Sequence, residues 1–177
     1  MIDSILKLFG VESASPPARS ETDAMRAIGE ALDRLDPDRA RFVAAYAYIL
    51  GRVAYADHQV TPEETRMMEQ RVMERGGLPE DQAALVVQIA KTQNRLFRGT
   101  EDYLVTREFQ RLAGPDARRS LIECLYAVSA ADRSISTAED NEIQRIATQL
   151  KVEHADVVAI RTEFREHLAV MRPADRD

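Results

Sequence analysis

The chain has 177 residues, of which 45% are hydrophobic and 31% charged, and its formal net charge is −6. A chain of this length buries about 70% of the surface that it exposes when unfolded, so we expect one globular domain that needs no disulfide or structural metal to fold. Its single cysteine excludes an intramolecular disulfide and a cysteine-rich zinc site, and its acidic character argues against general nucleic-acid binding.

Residues 1–19 are predicted to form an amphipathic segment and a flexible linker. Apolar side chains dominate residues 2–9, and the stretch that follows contains two serines and two adjacent prolines. The segment is too short for a signal peptide, and no later run has the roughly 18 to 20 apolar residues of a membrane span, so we expect a cytoplasmic protein. Residues 2–9 could pack on the domain, dock on a partner protein or touch a membrane weakly.

Residues 20–177 are predicted to form an all-α bundle of seven to nine helices. Apolar residues recur at intervals of three and four along most of this segment, whereas the alternation that is typical of strands is weak. Glycines and prolines mark most of the boundaries. The predicted helices run over about 20–35, 37–53, 61–75, 79–97, 100–113, 115–128, 136–150 and 153–171. The last of them is predicted from Val157, Ile160, Phe164, Leu168 and Met171.

The domain contains an internal repeat. A shift of 75 residues aligns residues 53–64 with residues 128–139, and the helices that flank these two segments correspond in the same order. We therefore predict two related three-helix units, at about residues 38–97 and 115–171, joined by the helix at 100–113.

Each aligned segment forms an acidic corner between two helices. Asp57 or Asp132 lies at the end of the first helix, and Glu64 or Glu139 lies in the first turn of the second. The glutamates have the position of a capping-box residue: Ser136, for example, precedes Glu139 by three residues at a predicted helix start. Capping alone could account for both glutamates.

The two aspartates need a second explanation, because an anion at the C-terminal end of a helix is disfavoured by about 0.3 to 1 kcal/mol. Each aspartate could accept hydrogen bonds from its own loop in an Asx-turn. Alternatively, the aspartate and the glutamate of a corner could together bind a divalent cation such as Ca²⁺, Mg²⁺, Mn²⁺ or Zn²⁺. The candidate metal ligands are therefore Asp57, Glu64, Asp132 and Glu139, while no catalytic residue and no required cofactor is predicted.

The two corners resemble the TerB-like family of bacterial tellurite-resistance and stress proteins, whose domain is also found in a DnaJ-like co-chaperone. The family motif, Ala-Asp-Gly-x-Ile/Val-x-x-x-Glu, is matched at residues 56–64 and 131–139, and the resemblance covers about residues 20–171. It implies a duplicated helical domain that senses or binds, with divalent metal at its acidic positions. His58 and Arg133 replace the motif's glycine, and because a guanidinium beside Asp132 should pair with it, the second corner is the weaker metal candidate.

We therefore expect a non-catalytic module of a stress or tellurite-resistance response that binds a ligand, a divalent metal or a protein partner at its acidic corners. One alternative is a metal-assisted hydrolase that uses Asp57, His58 and Glu64. Another is a purely structural oligomerisation domain, which would carry a large exposed apolar patch. The oligomeric state stays open. Cys124 lies between apolar residues on a predicted helix and is expected to be a buried structural thiol.

Overall fold

The computed structural model describes residues 19–54, 62–93 and 102–169, and most of this part of the chain is helical. It contains eight α-helices and two short 3-10 helices, the latter at Ala130–Asp132 and Arg165–His167. The prediction of an all-α bundle of seven to nine helices is confirmed. The eight α-helices are α1 (Arg19–Leu32), α2 (Pro37–Ala54), α3 (Pro62–Glu74), α4 (Glu80–Gln93), α5 (Asp102–Leu112), α6 (Pro115–Ser129), α7 (Thr137–Gln149) and α8 (His154–Glu163).

Some of the predicted features lie outside the described residues. These are the amphipathic segment at residues 2–9, the linker that follows it, and the first acidic corner with Asp57 and His58. The side chain of Asp132 also lies outside the description, although its backbone is placed in the first 3-10 helix.

Helices α2 and α6 form the centre of the bundle because both are apolar around most of their circumference. Every residue from Phe42 to Leu50 is buried in α2, and α6 is buried almost continuously from Leu121 to Ser129. A helix that is apolar on all sides must be surrounded by other helices. Accordingly, α2 packs against α4, α5, α6 and α7, whereas α6 packs against α2, α3, α7 and α8.

The helix boundaries follow the 75-residue shift of the predicted repeat. Helices α2 and α6 end at Ala54 and Ser129, and the bounds of α3 and α7 differ by the same shift at both ends. Helices α4 and α8 begin within one residue of this relation. Each unit therefore presents a long apolar helix followed by an amphipathic helix at the same spacing along the chain.

The prediction of one helix over residues 153–171 is wrong beyond Glu163. Helix α8 ends there, Phe164 has φ −101° and ψ 11°, and the chain passes through a 3-10 turn into an extended Leu168. Leu168 forms a parallel bridge with Ile135, and both side chains are buried. A long-range contact thus outweighs the helical preference of the local sequence.

Candidate functional site

The second acidic corner, which joins α6 to α7, is fixed by its own backbone. The Arg133 N–H donates to the Ala130 carbonyl oxygen at 2.9 Å and closes the 3-10 turn. Arg133 itself has φ 67° and ψ 15°, a left-handed conformation that is costly for residues with a Cβ and free for glycine. This conformation explains why the motif that the corner resembles has glycine at the position of Arg133.

The start of α7 closes the other side of the corner with the predicted capping box. The Ser136 hydroxyl oxygen accepts a hydrogen bond from the Glu139 N–H at 3.2 Å. In return, Glu139 Oε2 accepts hydrogen bonds from the Ser136 N–H at 2.8 Å and from the Ser136 hydroxyl at 2.7 Å. The predicted capping role of Glu139 is therefore confirmed, and one of its carboxylate oxygens is already engaged.

A short C-terminal segment pairs with the middle of the corner. We call residues 165–169 the strap. The Ile135 N–H donates to the His167 carbonyl oxygen at 2.7 Å, and the Ala169 N–H donates to the Ile135 carbonyl oxygen at 2.9 Å. The side chain of Leu168, which is 1% exposed, packs into the core beside Ile135. Both backbone polar groups of Ile135 are thus satisfied by the strap.

Of the four predicted metal ligands, the structure describes the side chains of Glu64 and Glu139. Glu64 is exposed in the first turn of α3, and Glu139 belongs to the capping box. Asp57 and the side chain of Asp132 lie outside the described residues. Within the described ranges, no group of three or more His, Cys, Asp and Glu side chains comes together as a metal site. Metal binding at the corners stays a prediction.

A charge network beside the first corner escaped the sequence analysis. Arg52, in the last turn of α2, donates from Nη2 to Glu142 Oε1 at 2.5 Å and from Nη1 to Thr106 Oγ1 at 3.0 Å. Its Nε lies 3.6 Å from Asp102 Oδ2, and the Tyr48 hydroxyl donates to Asp102 Oδ1 at 2.8 Å. The network ties the end of α2, from which the first corner leaves, to α5 and α7. The only indication of this network in the sequence is Arg52, a charged residue in an otherwise apolar helix turn.

A second buried polar cluster joins α6, α7 and α8. Asp140 on α7 is 3% exposed. The Arg161 guanidinium donates from Nε to Asp140 Oδ1 at 3.0 Å and from Nη2 to Asp140 Oδ2 at 2.7 Å, and the Tyr126 hydroxyl donates to Oδ1 at 2.8 Å. Burial raises the pKa of Asp140, but the hydrogen bonds from Arg161 and Tyr126 and the charge of Arg161 outweigh burial, so this pKa lies below its ordinary value. The carboxylate is therefore charged at neutral pH and has a structural role. In the sequence, Asp140 lies three residues before Ile143 and therefore on the apolar face of the same helix, and this spacing was the available indication that Asp140 is buried.

The predicted burial of Cys124 is confirmed. The side chain is fully enclosed in α6, next to the hydroxyl of Tyr46 on α2. Burial raises the pKa of the thiol to about 12, which leaves essentially no thiolate at neutral pH. The buried, protonated thiol of Cys124 therefore serves as core packing.

A left-handed residue between α7 and α8 gives a first testable prediction. Lys151 has φ 55° and is exposed, so Lys151→Gly should remove the steric cost of this conformation. After the greater flexibility of glycine in the unfolded chain is subtracted, we expect about 0.5–1 kcal/mol of added stability, or a melting temperature about 1–4 °C higher. Lys151→Ala keeps the strain while removing the charge, and it should bring no such gain in a thermal melt. Equal gains from both variants would contradict this explanation.

The large apolar side chains that are exposed in the described part of the chain are spread over three helices. They are Met67 and Met73 on α3, Tyr103 and Leu104 on α5, and Val158 on α8. None of the helices within the described ranges combines the length and the hydropathy that crossing a bilayer would require.

Comparison with known families gives one result. The model of the family described as tellurite resistance protein TerB matches residues 43–162 of the chain. The matched region begins in α2, ends in α8 and contains both acidic corners. No curated protein and no solved structure gives a significant match to the chain.

Proposed function

The chain belongs to the tellurite resistance protein TerB family, and we propose that it is a non-catalytic binding module that acts in the cytoplasm in a bacterial tellurite-resistance or stress response. Its acidic corners are the binding site for a divalent cation, another ligand or a protein partner. The observation that carries the proposal is the family match, because it spans both corners.

The construction of the second corner supports this proposal. The 3-10 turn, the left-handed Arg133, the pairing of Ile135 with the strap and the capping box hold consecutive residues of one short loop. A loop that is ordered before it binds loses little conformational entropy on binding. A corner whose backbone is built in this way suits a binding site that is ordered before its ligand arrives.

The two corners differ in charge, and we assign the cation to the first. Arg133 brings a permanent positive charge to the second corner, and the capping box already occupies an oxygen of Glu139. His58 stands at the corresponding position of the first corner, where Asp57 and Glu64 are the proposed ligands. Carboxylate oxygens are the ligands that Ca²⁺, Mg²⁺ and Mn²⁺ prefer.

Thermal unfolding of the metal-stripped protein tests the proposal. Ca²⁺, Mg²⁺, Mn²⁺ and Zn²⁺ are added in turn, and a cation at a hundred times its dissociation constant should stabilise the protein by about 2.7 kcal/mol. At this chain length the melting temperature should rise by about 5–10 °C. Asp57→Ala should abolish the rise, whereas Asp132→Ala should leave most of it. Glu30→Ala, which removes an exposed carboxylate from α1, is the matched control and should keep all of it.

Two outcomes would count against the proposal. If no cation shifts the midpoint and both aspartate variants melt earlier than the wild type, the aspartates stabilise their loops and bind no metal. If a bound cation supports hydrolysis, and His58→Ala abolishes the hydrolysis while cation binding persists, the chain is a metal-assisted hydrolase that uses Asp57, His58 and Glu64.

A further inference from the structure

The segment that follows α8 has a sequence pattern that conflicts with its structure. Ile160, Phe164 and Leu168 follow one another at intervals of four, and neither glycine nor proline occurs in residues 154–171. This pattern is typical of one continuous helix. Helix α8 nevertheless ends at Glu163, and the chain turns away to form the strap. We propose that residues 164–169 form a two-state element, which either docks as the strap on the second corner or continues α8 as a helix.

Few contacts hold the docked state. Two backbone hydrogen bonds join the strap to Ile135, and among the strap side chains only Leu168 is buried. Arg165 and Glu166 are exposed. An element with so few buried contacts is expected to open without unfolding the rest of the domain.

The first three-helix unit contains the helical alternative. Under the 75-residue shift, Glu163 and Leu168 correspond to Gln88 and Gln93. Helix α4, which is described from Glu80 to Gln93, contains both of these positions without a break. Residues 163–168 therefore contain the end of α8, a 3-10 turn and an extended Leu168, whereas the corresponding residues 88–93 of the first unit form a continuous helix.

The direction of α8 determines what the helical state would change. Near the starts of α6 and α8, Arg119 Nε lies 3.5 Å from Asp156 Oδ1. Near the ends of the two helices, the rings of Tyr126 and Phe164 stack with their centroids 5.8 Å apart. The two helices therefore run side by side in the same direction. A longer α8 would pass the end of α6, where the second corner begins, and it would free the N–H and the carbonyl oxygen of Ile135.

The two states thus differ in whether the backbone of the second corner is occupied. In the docked state the strap occupies it, whereas in the helical state it can accept another extended segment or rearrange around a ligand. A ligand that binds only the open corner would shift the population towards the helical state. This link to ligand binding rests on the proposed function, but the existence of two states does not.

Nuclear magnetic resonance on the full chain without ligand tests the two-state element. In the wild type, the Ile135 amide should exchange with solvent at least about tenfold faster than the Leu125 amide in the middle of α6, because the strap opens locally. Leu168→Ala removes the buried anchor and keeps a good helix former. It should lower the protection of the Ile135 amide by more than about tenfold and move the 13Cα shift of residue 168, which is extended in the docked strap, to a helical value.

A matched variant separates helix formation from simple release of the strap. Adding Glu166→Pro to Leu168→Ala removes a backbone donor and introduces a clash that a continuous helix cannot accommodate. This double variant should lose protection at Ile135 without gaining helical shifts.

The proposal is overturned if Leu168→Ala loses protection at Ile135 while residue 168 keeps the 13Cα shift of an extended residue. It is also overturned if the wild-type Ile135 amide exchanges as slowly as that of Leu125, a result that stands even if Leu168→Ala does not fold. Neither measurement involves a cation, so failure here is distinguishable from failure of the proposed binding function.

Discussion

Replacing Arg161 with methionine is expected to lower the free energy of unfolding at pH 7 by about 3 kcal/mol or more. The methionine keeps most of the aliphatic volume but leaves the buried Asp140 carboxylate without a cation beside it, although the hydrogen bonds from the Tyr126 hydroxyl and the Gln144 side chain remain. A buried charge without a compensating charge is costly, either through desolvation or through the uptake of a proton. Urea unfolding followed by circular dichroism measures the loss.

The loss should depend on pH in a definite direction. The pKa of Asp140 is lowered in the folded protein, so the ion pair stabilises the fold above the unfolded pKa of about 3.9 and stops doing so as the pH falls through the folded pKa. In Arg161→Met, the isolated carboxyl takes up its proton at a higher pH than in the wild type. The difference in stability between the two proteins should therefore be largest near pH 7 and should shrink as the pH approaches about 3.

Two further variants show whether the stranded charge causes the loss. Arg145→Met removes an exposed arginine that pairs with Glu142 on α7 at 2.7 Å. Glu142 keeps Arg52 as a partner, so this variant should cost no more than about 1 kcal/mol. Asp140→Asn in the Arg161→Met background removes the charge and keeps an acceptor for Tyr126, and we expect it to recover a large part of the loss. If it recovers nothing, the packing of the Arg161 stem, and not the charge of Asp140, explains the effect.

The fold could be predicted from the sequence wherever the determining interactions are local. The apolar faces of α2 and α6 follow from the helical period. The start of α7 follows from Ser136 and Glu139, which interact across three residues. The end of α8 could not be predicted, because Leu168 pairs with Ile135, far back along the chain, and this contact overrides a helical pattern.

Among the polar groups of the candidate site, too, only interactions between residues that are close in sequence could be predicted. Glu139 could be assigned to a cap because its partner is three residues away. Arg52 and Glu142, in contrast, lie 90 positions apart, and Asp140 and Arg161 lie 21 apart, so each pair exists only once the helices have packed. The apolar face of each helix can be predicted from one sequence, because it follows from the helical period. The side chain of another helix that will contact a given polar residue cannot. For this reason the acidic corners were found from the sequence and the two buried charge clusters were not.

Replacing Gly76 with alanine is expected to cost about 3 kcal/mol of stability, near the upper end of the usual range for overpacked sites. Gly76 is buried in the turn after α3, where a Cβ would lie 2.2 Å from the Tyr46 hydroxyl oxygen and 2.4 Å from the Val72 carbonyl oxygen. The tyrosine is completely buried on α2, and the carbonyl belongs to the last turn of α3, so neither can move away without disturbing the packing between the two helices.

Gly51→Ala is the matched control because it adds the same methyl group to α2. A Cβ at Gly51 would meet Ala90 at 3.5–3.8 Å, which is ordinary van der Waals contact. Alanine also favours the helix over glycine by up to about 1 kcal/mol, so this variant should be as stable as the wild type or more stable. Tyr46→Phe in the Gly76→Ala background removes the nearer of the two clashing oxygens and should restore part of the loss. If the urea midpoint of Gly76→Ala equals that of the wild type, the turn after α3 can shift to make room for the methyl group. That result would contradict the clash with Tyr46 on which the prediction rests.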